Sequence, residues 1–143
     1  MKYAIRYQSR GGNTKAVAEI LAKAFDAEAL TVIHPIQKYT DILFLGGGVY
    51  GGKMDSSLRQ FIMQLSPNKV GKIVAFSTTG SMDSTLRQIR KEAKLKEISV
   101  SRQELLIRMF LRGHSALGLK GGKLSQKQQQ KVYDFINTIR GEI

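Results

Sequence analysis

The chain has no cysteine. That absence excludes disulfides, thiolate metal sites, cysteine nucleophiles and dithiol redox chemistry, so any redox role needs a bound cofactor. No apolar run approaches the roughly 18 residues of a membrane span, and the N-terminus lacks the apolar region of a signal peptide, which makes a soluble cytoplasmic protein the expectation. Repeats and low-complexity tracts are missing too, as is any linker that would mark a second domain. With 143 residues, the expectation is a single domain spanning 1–143 whose core buries roughly 68–70% of the unfolded surface.

Acidic residues are scarce. Eleven Asp and Glu stand against 23 Lys and Arg, a formal net charge of +12. The excess is concentrated between residues 85 and 131, where twelve basic residues face only Glu92, Glu97 and Glu104, a net of +9. Such a field draws in anionic partners without choosing among nucleic acid, acidic protein, lipid headgroups and phosphorylated small molecules. It serves equally as a solvated face.

What is present is an alternation of strand-like and helix-like segments. Tyr3–Tyr7 has strand character, and Val17, Ile20, Leu21 and Ala24 then recur on one helical face up to Phe25. Between them lies Ser9-Arg10-Gly11-Gly12-Asn13-Thr14. At a helix start, unpaired N–H groups, glycines that let the backbone close on an anion, and the hydroxyls of Ser9 and Thr14 together make a phosphate cradle. The same residues also suit an ordinary strand-to-helix turn.

A second strand fits 29–33, ended by His34-Pro35. A third fits the apolar run 42–45, followed by a glycine-rich loop over Gly46–Gly52. Only His34 to Asp41 join these two strands, so the helix between them is expected to be a stub. Asp55 or Ser56 can cap a helix that buries Leu58, Phe61, Ile62 and Leu65 and ends by Pro67 and Asn68. The fourth strand, 73–76, leads to a hydroxyl-rich loop over Ser77–Met82, and Asp83 or Ser84 caps a helix with Leu86, Ile89 and Ala93 inward. A fifth strand fits 105–111, with Ile98-Ser99-Val100 also strand-like. The last helix, capped by Ser125, buries Val132, Phe135, Ile136 and Ile139 and stops at Gly141.

Five strands alternating with helices imply a parallel α/β sheet with right-handed crossovers. Ligands of such sheets bind outside the carboxyl ends of the strands, where the order reverses. In the order 2-1-3-4-5 the three polar loops follow adjacent strands and converge on one site. Arg6 falls inside the central strand and therefore needs a partner, a carboxylate such as Asp41 or an escape along its stem.

With these loops in place, nearly the whole chain resembles the flavodoxin-like family, whose members bind flavin mononucleotide (FMN) noncovalently on a three-layer α/β fold with helices on both faces of the sheet. Ser9, Arg10, Gly11, Gly12, Asn13 and Thr14 resemble its phosphate loop, [ST]-x-T-G-x-T, with Gly11 where a hydroxyl residue is usual. Gly48, Val49, Tyr50, Gly51 and Gly52 stand where the first flavin-flanking loop lies, and Ser77, Thr78, Thr79 and Gly80 where the second begins. Phe110-Leu111-Arg112-Gly113 is similar to the end of the fifth strand. The family often flanks its flavin with a Trp and a Tyr; here there is no Trp, and Tyr50 is the aromatic left to stack.

The resemblance implies an FMN-binding electron-transfer protein. Alternatives are an FMN-dependent reductase acting on a quinone or protoporphyrinogen-type substrate, and a flavin-free module binding another phosphorylated ligand. The implied partner is an acidic redox protein or small-molecule acceptor, with no specific nucleic acid and peripheral membrane contact as an option. A basic cleft predicts a less negative midpoint potential than that of acidic family members, given Arg10, Lys53, Arg112 or Lys120 near the ring. His34, His114 and Ser115 have no ligand or triad partner at a telling spacing and are read as structural. The 112–124 loop is short, which favours the carrier over the reductase.

Overall fold

The computed structural model of the chain describes residues 1–109 and 121–143. In chain order the elements are β1 (Tyr3–Gln8), α1 (Asn13–Ala24), β2 (Ala29–Thr31), β3 (Thr40–Gly48), α2 (Ser56–Met63), β4 (Val70–Thr79), α3 (Ser84–Leu95), β5 (Ser99–Val100), β6 (Leu105–Arg108) and α4 (Gln126–Glu142). The sheet is parallel throughout and runs β2-β1-β3-β4-β5, with β6 also paired to β4. The expected order is therefore observed, except that the fifth position is split. Ser99 and Val100 pair with Lys72 and Ile73, and four residues further on Leu105–Arg108 pair with Phe76–Thr79. Both strand-like segments of the sequence are thus used along one edge of β4, and the last two residues of the expected 105–111 strand lie outside the described residues.

Period-two alternation divides the core. Ile5, Tyr7, Phe44, Val74, Phe76 and Ile107 face α1 and α4, whereas Leu43, Leu45, Ile73 and Ala75 face α2 and α3. Because both faces are covered, β3 reads as a continuous apolar run. The expected inward faces of α2, α3 and α4 are all buried. On α1 the buried stripe is Thr14, Val17, Ala18, Leu21 and Ala22, with Ile20 and Ala24 at its margin.

Several boundaries differ from the sequence expectation. Gly46–Gly48 are strand rather than loop, paired with Phe76, Ser77 and Thr78, which are likewise strand. Sterics explain the glycine there: a Cβ on Gly46 would lie 2.3 Å from the Phe76 ring, so the bare backbone makes the floor on which that ring rests. No helix, not even a stub, connects β2 to β3; residues 32–39 form a turn followed by irregular backbone with Ile36 buried. The second strand ends at Thr31 instead of 33, and α4 continues past Gly141 to Glu142.

Arg6 is partnered, but not by Asp41, which accepts from the Lys2 backbone N–H at 2.7 Å. Its guanidinium donates to the carbonyls of His34 (2.8 Å), Ile5 (3.1 Å) and Pro35 (3.3 Å). The β2–β3 connection, lacking helix hydrogen bonds of its own, thereby ties its carbonyls to β1, which lies between β2 and β3 in the sheet. Burial draws the Arg6 pKa down from its ordinary value, against the opposing charge of Glu28.

Candidate functional site

The three loops meet at the carboxyl end of the sheet around a cleft of about 410 Å³. The first is shaped by Gly12, which occupies the N-cap position of α1 in the left-handed region (φ 96°) and offers no side-chain cap. Its N–H is taken by Ser9 Oγ at 3.0 Å and its carbonyl accepts from Ala16 at 3.0 Å. The N–H groups of Gly11 and Thr14 have no partner among the described residues. Since α1 brings its partial positive charge to the same point, this end of the cleft offers an anion both N–H donors and a positive helix end.

Hydroxyl protons add to these donors. Ser9 Oγ accepts from Gly12 and so keeps its own proton for another acceptor. Thr14 Oγ1 and Thr78 Oγ1 lie 2.7 Å apart in a buried pair; one proton serves that bond and the other remains. The segment before α4 closes on the loop from behind. Gly121 N–H donates to Gly11 O at 2.9 Å and Gly122 N–H to Asn13 Oδ1 at 2.8 Å.

The second loop is a tight hairpin. Tyr50 and Lys53 exchange backbone hydrogen bonds of 2.8 and 3.1 Å, and Gly51 and Gly52 both have positive φ, 58° and 75°. Two central residues with φ above zero define a type I′ turn, which favours glycine at both places. Thr85 Oγ1 donates to Gly48 O at 2.7 Å and Ser77 Oγ to Gly47 O at 2.6 Å, fixing the strand end below the turn. Met54 N–H donates to Gln88 Oε1 of α3 at 2.7 Å.

Tyr50 links the first two loops. Its hydroxyl accepts from the Arg10 N–H at 3.0 Å, and the Arg10 guanidinium lies 3.9 Å from the ring centroid. That guanidinium is also ion-paired with Asp55 at 2.8 Å, while Asp55 caps α2 by accepting from Ser57 N–H at 2.8 Å. Burial raises the Tyr50 pKa and outweighs the hydrogen bond and charge of Arg10. For Asp55 burial acts upward, but the hydrogen bonds from Ser57 and the Arg10 guanidinium prevail and hold its pKa below the ordinary value.

The third loop begins in β4. Thr79 Oγ1 accepts from Met82 N–H at 3.3 Å, Thr79 O from Met109 N–H at 2.8 Å, and Ser81 O from Arg108 at 3.4 Å. Asp83 stands at the N-cap position of α3, yet its carboxylate turns to Arg87 instead of capping the helix. A Cβ on Gly52 would touch Met82, so the second and third loops abut.

All the site residues expected from sequence line the cleft except Gly12, whose N–H points back to Ser9, and Ser77, whose hydroxyl is spent on Gly47. Ser81, Met82 and Met109 line it as well. Met109 carried a signal in its place two residues beyond Ile107, on the same face and at the carboxyl end of the sheet. Of the four cations expected near the cleft, Arg10 lines it and Lys53 lies one residue beyond the lining Gly52. Arg112 and Lys120 lie outside the described residues, as do Phe110-Leu111-Arg112-Gly113, His114 and Ser115. His34 sits in the turn after β2 and does not line the cleft.

A family model described as a flavodoxin domain matches residues 4–139. Among solved structures, a flavodoxin from the domain Archaea is similar at TM-score 0.76 with 18% identity, over 99% of this chain and 98% of that one. The two-electron reduced flavodoxin of Megasphaera elsdenii gives TM-score 0.65 and 18% identity over 95% and 98%. The apo form of an NADH:FMN oxidoreductase gives 0.65 and 14% over 100% and 90%. At these identities the structural likeness speaks for the fold. No curated protein matches the chain in sequence.

Proposed function

The chain belongs to the flavodoxin-domain family, and on that premise we propose that it binds FMN in this cleft and serves as an electron-transfer protein. The observation that carries the reading is the convergence of an uncapped helix N-terminus with two further loops on one cleft of about 410 Å³. That volume falls in the range of roughly 300–1,000 Å³ typical of ligand pockets.

The residues fit the cofactor. At the phosphate end, the N–H groups of Gly11 and Thr14, unpartnered among the described residues, and the spare protons of Ser9 and the Thr14–Thr78 pair are there to meet a dianion. The usual hydroxyl at position 11 is missing, but the backbone donor there is not. At the other end Tyr50, Val49, Met82 and Met109 give soft or aromatic walls for a flat ring system, with thioether sulfur suited to ring contact. When bound, FMN supplies the one- and two-electron chemistry. The chain holds it and tunes its surroundings. The turn of Gly51 and Gly52 lets a peptide present either its C=O or its N–H toward the ring at small steric cost.

The positive field suits an acidic electron-transfer partner, in keeping with the net charge of +12. An FMN-dependent reductase remains the alternative from the enzyme class, and a module for another phosphorylated ligand the alternative without flavin. The visible absorption spectrum of the purified protein, before and after adding FMN, tests the reading. A yellow protein supports it; a colourless one that ignores excess FMN leaves the phosphoryl-binding module.

A further inference from the structure

Arg10 is the second residue of the phosphate loop, yet its side chain is directed out of the loop. Both Nε (3.2 Å) and Nη2 (2.8 Å) donate to a single oxygen of Asp55, Oδ2. The other oxygen, Oδ1, accepts from the N–H (2.8 Å) and hydroxyl (2.6 Å) of Ser57. The carboxylate is therefore fixed by α2, and it is the arginine that comes to it. Their exposures agree: the Asp55 side chain is 12% exposed and that of Arg10 50%. In this position the guanidinium lies on the Tyr50 ring.

We propose that Asp55 is a positioning residue for the anion site. Its carboxylate holds Arg10 on Tyr50 and compensates the arginine's charge, so that the cleft meets its ligand with backbone and hydroxyl donors rather than with a free cation. This inference deepens the FMN reading and rests on it for the identity of the ligand. It accounts for a basic residue inside a loop already equipped for phosphate. It also modifies the electrostatic expectation from sequence. The Arg10 charge lies at the cleft but is neutralised there, and removing its counter-ion exposes it.

Asp55→Asn provides the test, because Asn is as good an N-cap as Asp and the change removes charge with little loss of shape. A thermal melt verifies that the variant folds. FMN binding, followed by quenching of flavin fluorescence at low salt, is expected to tighten about fivefold, the factor corresponding to the ~1 kcal/mol of one charge pair at 4 Å in water. The gain should fall away as salt is raised, be small for riboflavin, and accompany a less negative midpoint potential of the flavin. In an Arg10→Gln background, Asp55→Asn should change nothing, since the carboxylate acts through Arg10.

No tightening in the single variant overturns the proposal. So does an equal gain in the Arg10→Gln background, which would make Asp55 a direct repeller of the anion. The same cycle is run with inorganic phosphate. If the protein binds phosphate but not FMN, the flavin reading fails while the phosphate cycle still decides the role of Asp55. If neither binds, both fall.

Discussion

The hydroxyl of Thr14, at the start of α1, lies 2.7 Å from that of Thr78, near the end of β4. This bond joins the phosphate loop to the strand that carries the third loop, across β3. Both residues are buried, at 1% and 6% exposure. Thr14→Val leaves the Thr78 hydroxyl buried without a partner and is expected to destabilise the fold by about 1–3 kcal/mol. Replacing both by Val removes both polar groups and should restore much of that stability, yet anion affinity should stay low because the spare proton is gone. Chemical denaturation and FMN titration of the three variants separate the two effects.

Gly121 fits against the phosphate loop with no room for a side chain. A Cβ there would lie 2.1 Å from Asn13 Oδ1 and 2.9 Å from Gly11 O. Gly121→Ala should therefore push the loop from its position and weaken FMN binding by at least about tenfold, in line with the sensitivity of binding sites to ångström-scale misplacement. The segment lies on the surface, so the melting temperature should move by only a few degrees. A large loss of stability with unchanged affinity would argue against a clasp.

Gly46→Ala is expected to act in the opposite way. Its Cβ would meet the Phe76 ring in the middle of the sheet, with Phe76 only 1% exposed. Overpacking of this kind costs roughly 1–3 kcal/mol, or about 2–4 °C of melting temperature per kcal/mol for a chain of this size. Gly46→Ala combined with Phe76→Leu should recover part of the loss. Scanning calorimetry of the single and double variants checks both.

The acid limb of the stability curve should report Asp55. Its pKa is depressed in the folded protein below the ordinary value of 3.8. Its contribution is therefore present in full above that value and lost as the pH falls through the folded value. The wild type should lose stability over that acid range by more than Asp55→Asn does, and the two curves should run parallel between pH 5 and 8. Urea midpoints measured across the range provide the comparison.

Much of this arrangement was legible in the sequence because it is local. The helical faces, the caps at Asp55 and Ser125 and the three polar loops after neighbouring strands all follow from periodicity and residue type. What was missed depends on residues far apart. Gly46–Gly48 read as loop from their own composition; their pairing with Phe76, Ser77 and Thr78 across the sheet makes them strand, and the Phe76 ring explains the glycine at 46. Arg6 suggested a carboxylate partner such as Asp41 or an escape along its stem, but the helix-free connection after β2 leaves the His34 and Pro35 carbonyls that satisfy it instead. The grip of Gly121 and Gly122 on Gly11 and Asn13 spans more than a hundred residues, and no local pattern announces it. Met109 is a cleft residue by its position just past the end of β6, where a thioether looks no different from core, whereas Met82 lies in the third loop, which the sequence marked without singling out this residue.

On the proposed reading, the cleft recognises both the phosphate and the flavin of FMN. Parallel equilibrium titrations of the purified protein with FMN and with riboflavin, read by flavin fluorescence, test it most directly. Quenching by both ligands is expected, with FMN bound at least about tenfold more tightly, a difference of ~1.4 kcal/mol. Equal affinities would contradict the phosphate cradle at Ser9–Thr14, and no quenching of either ligand would contradict flavin binding altogether.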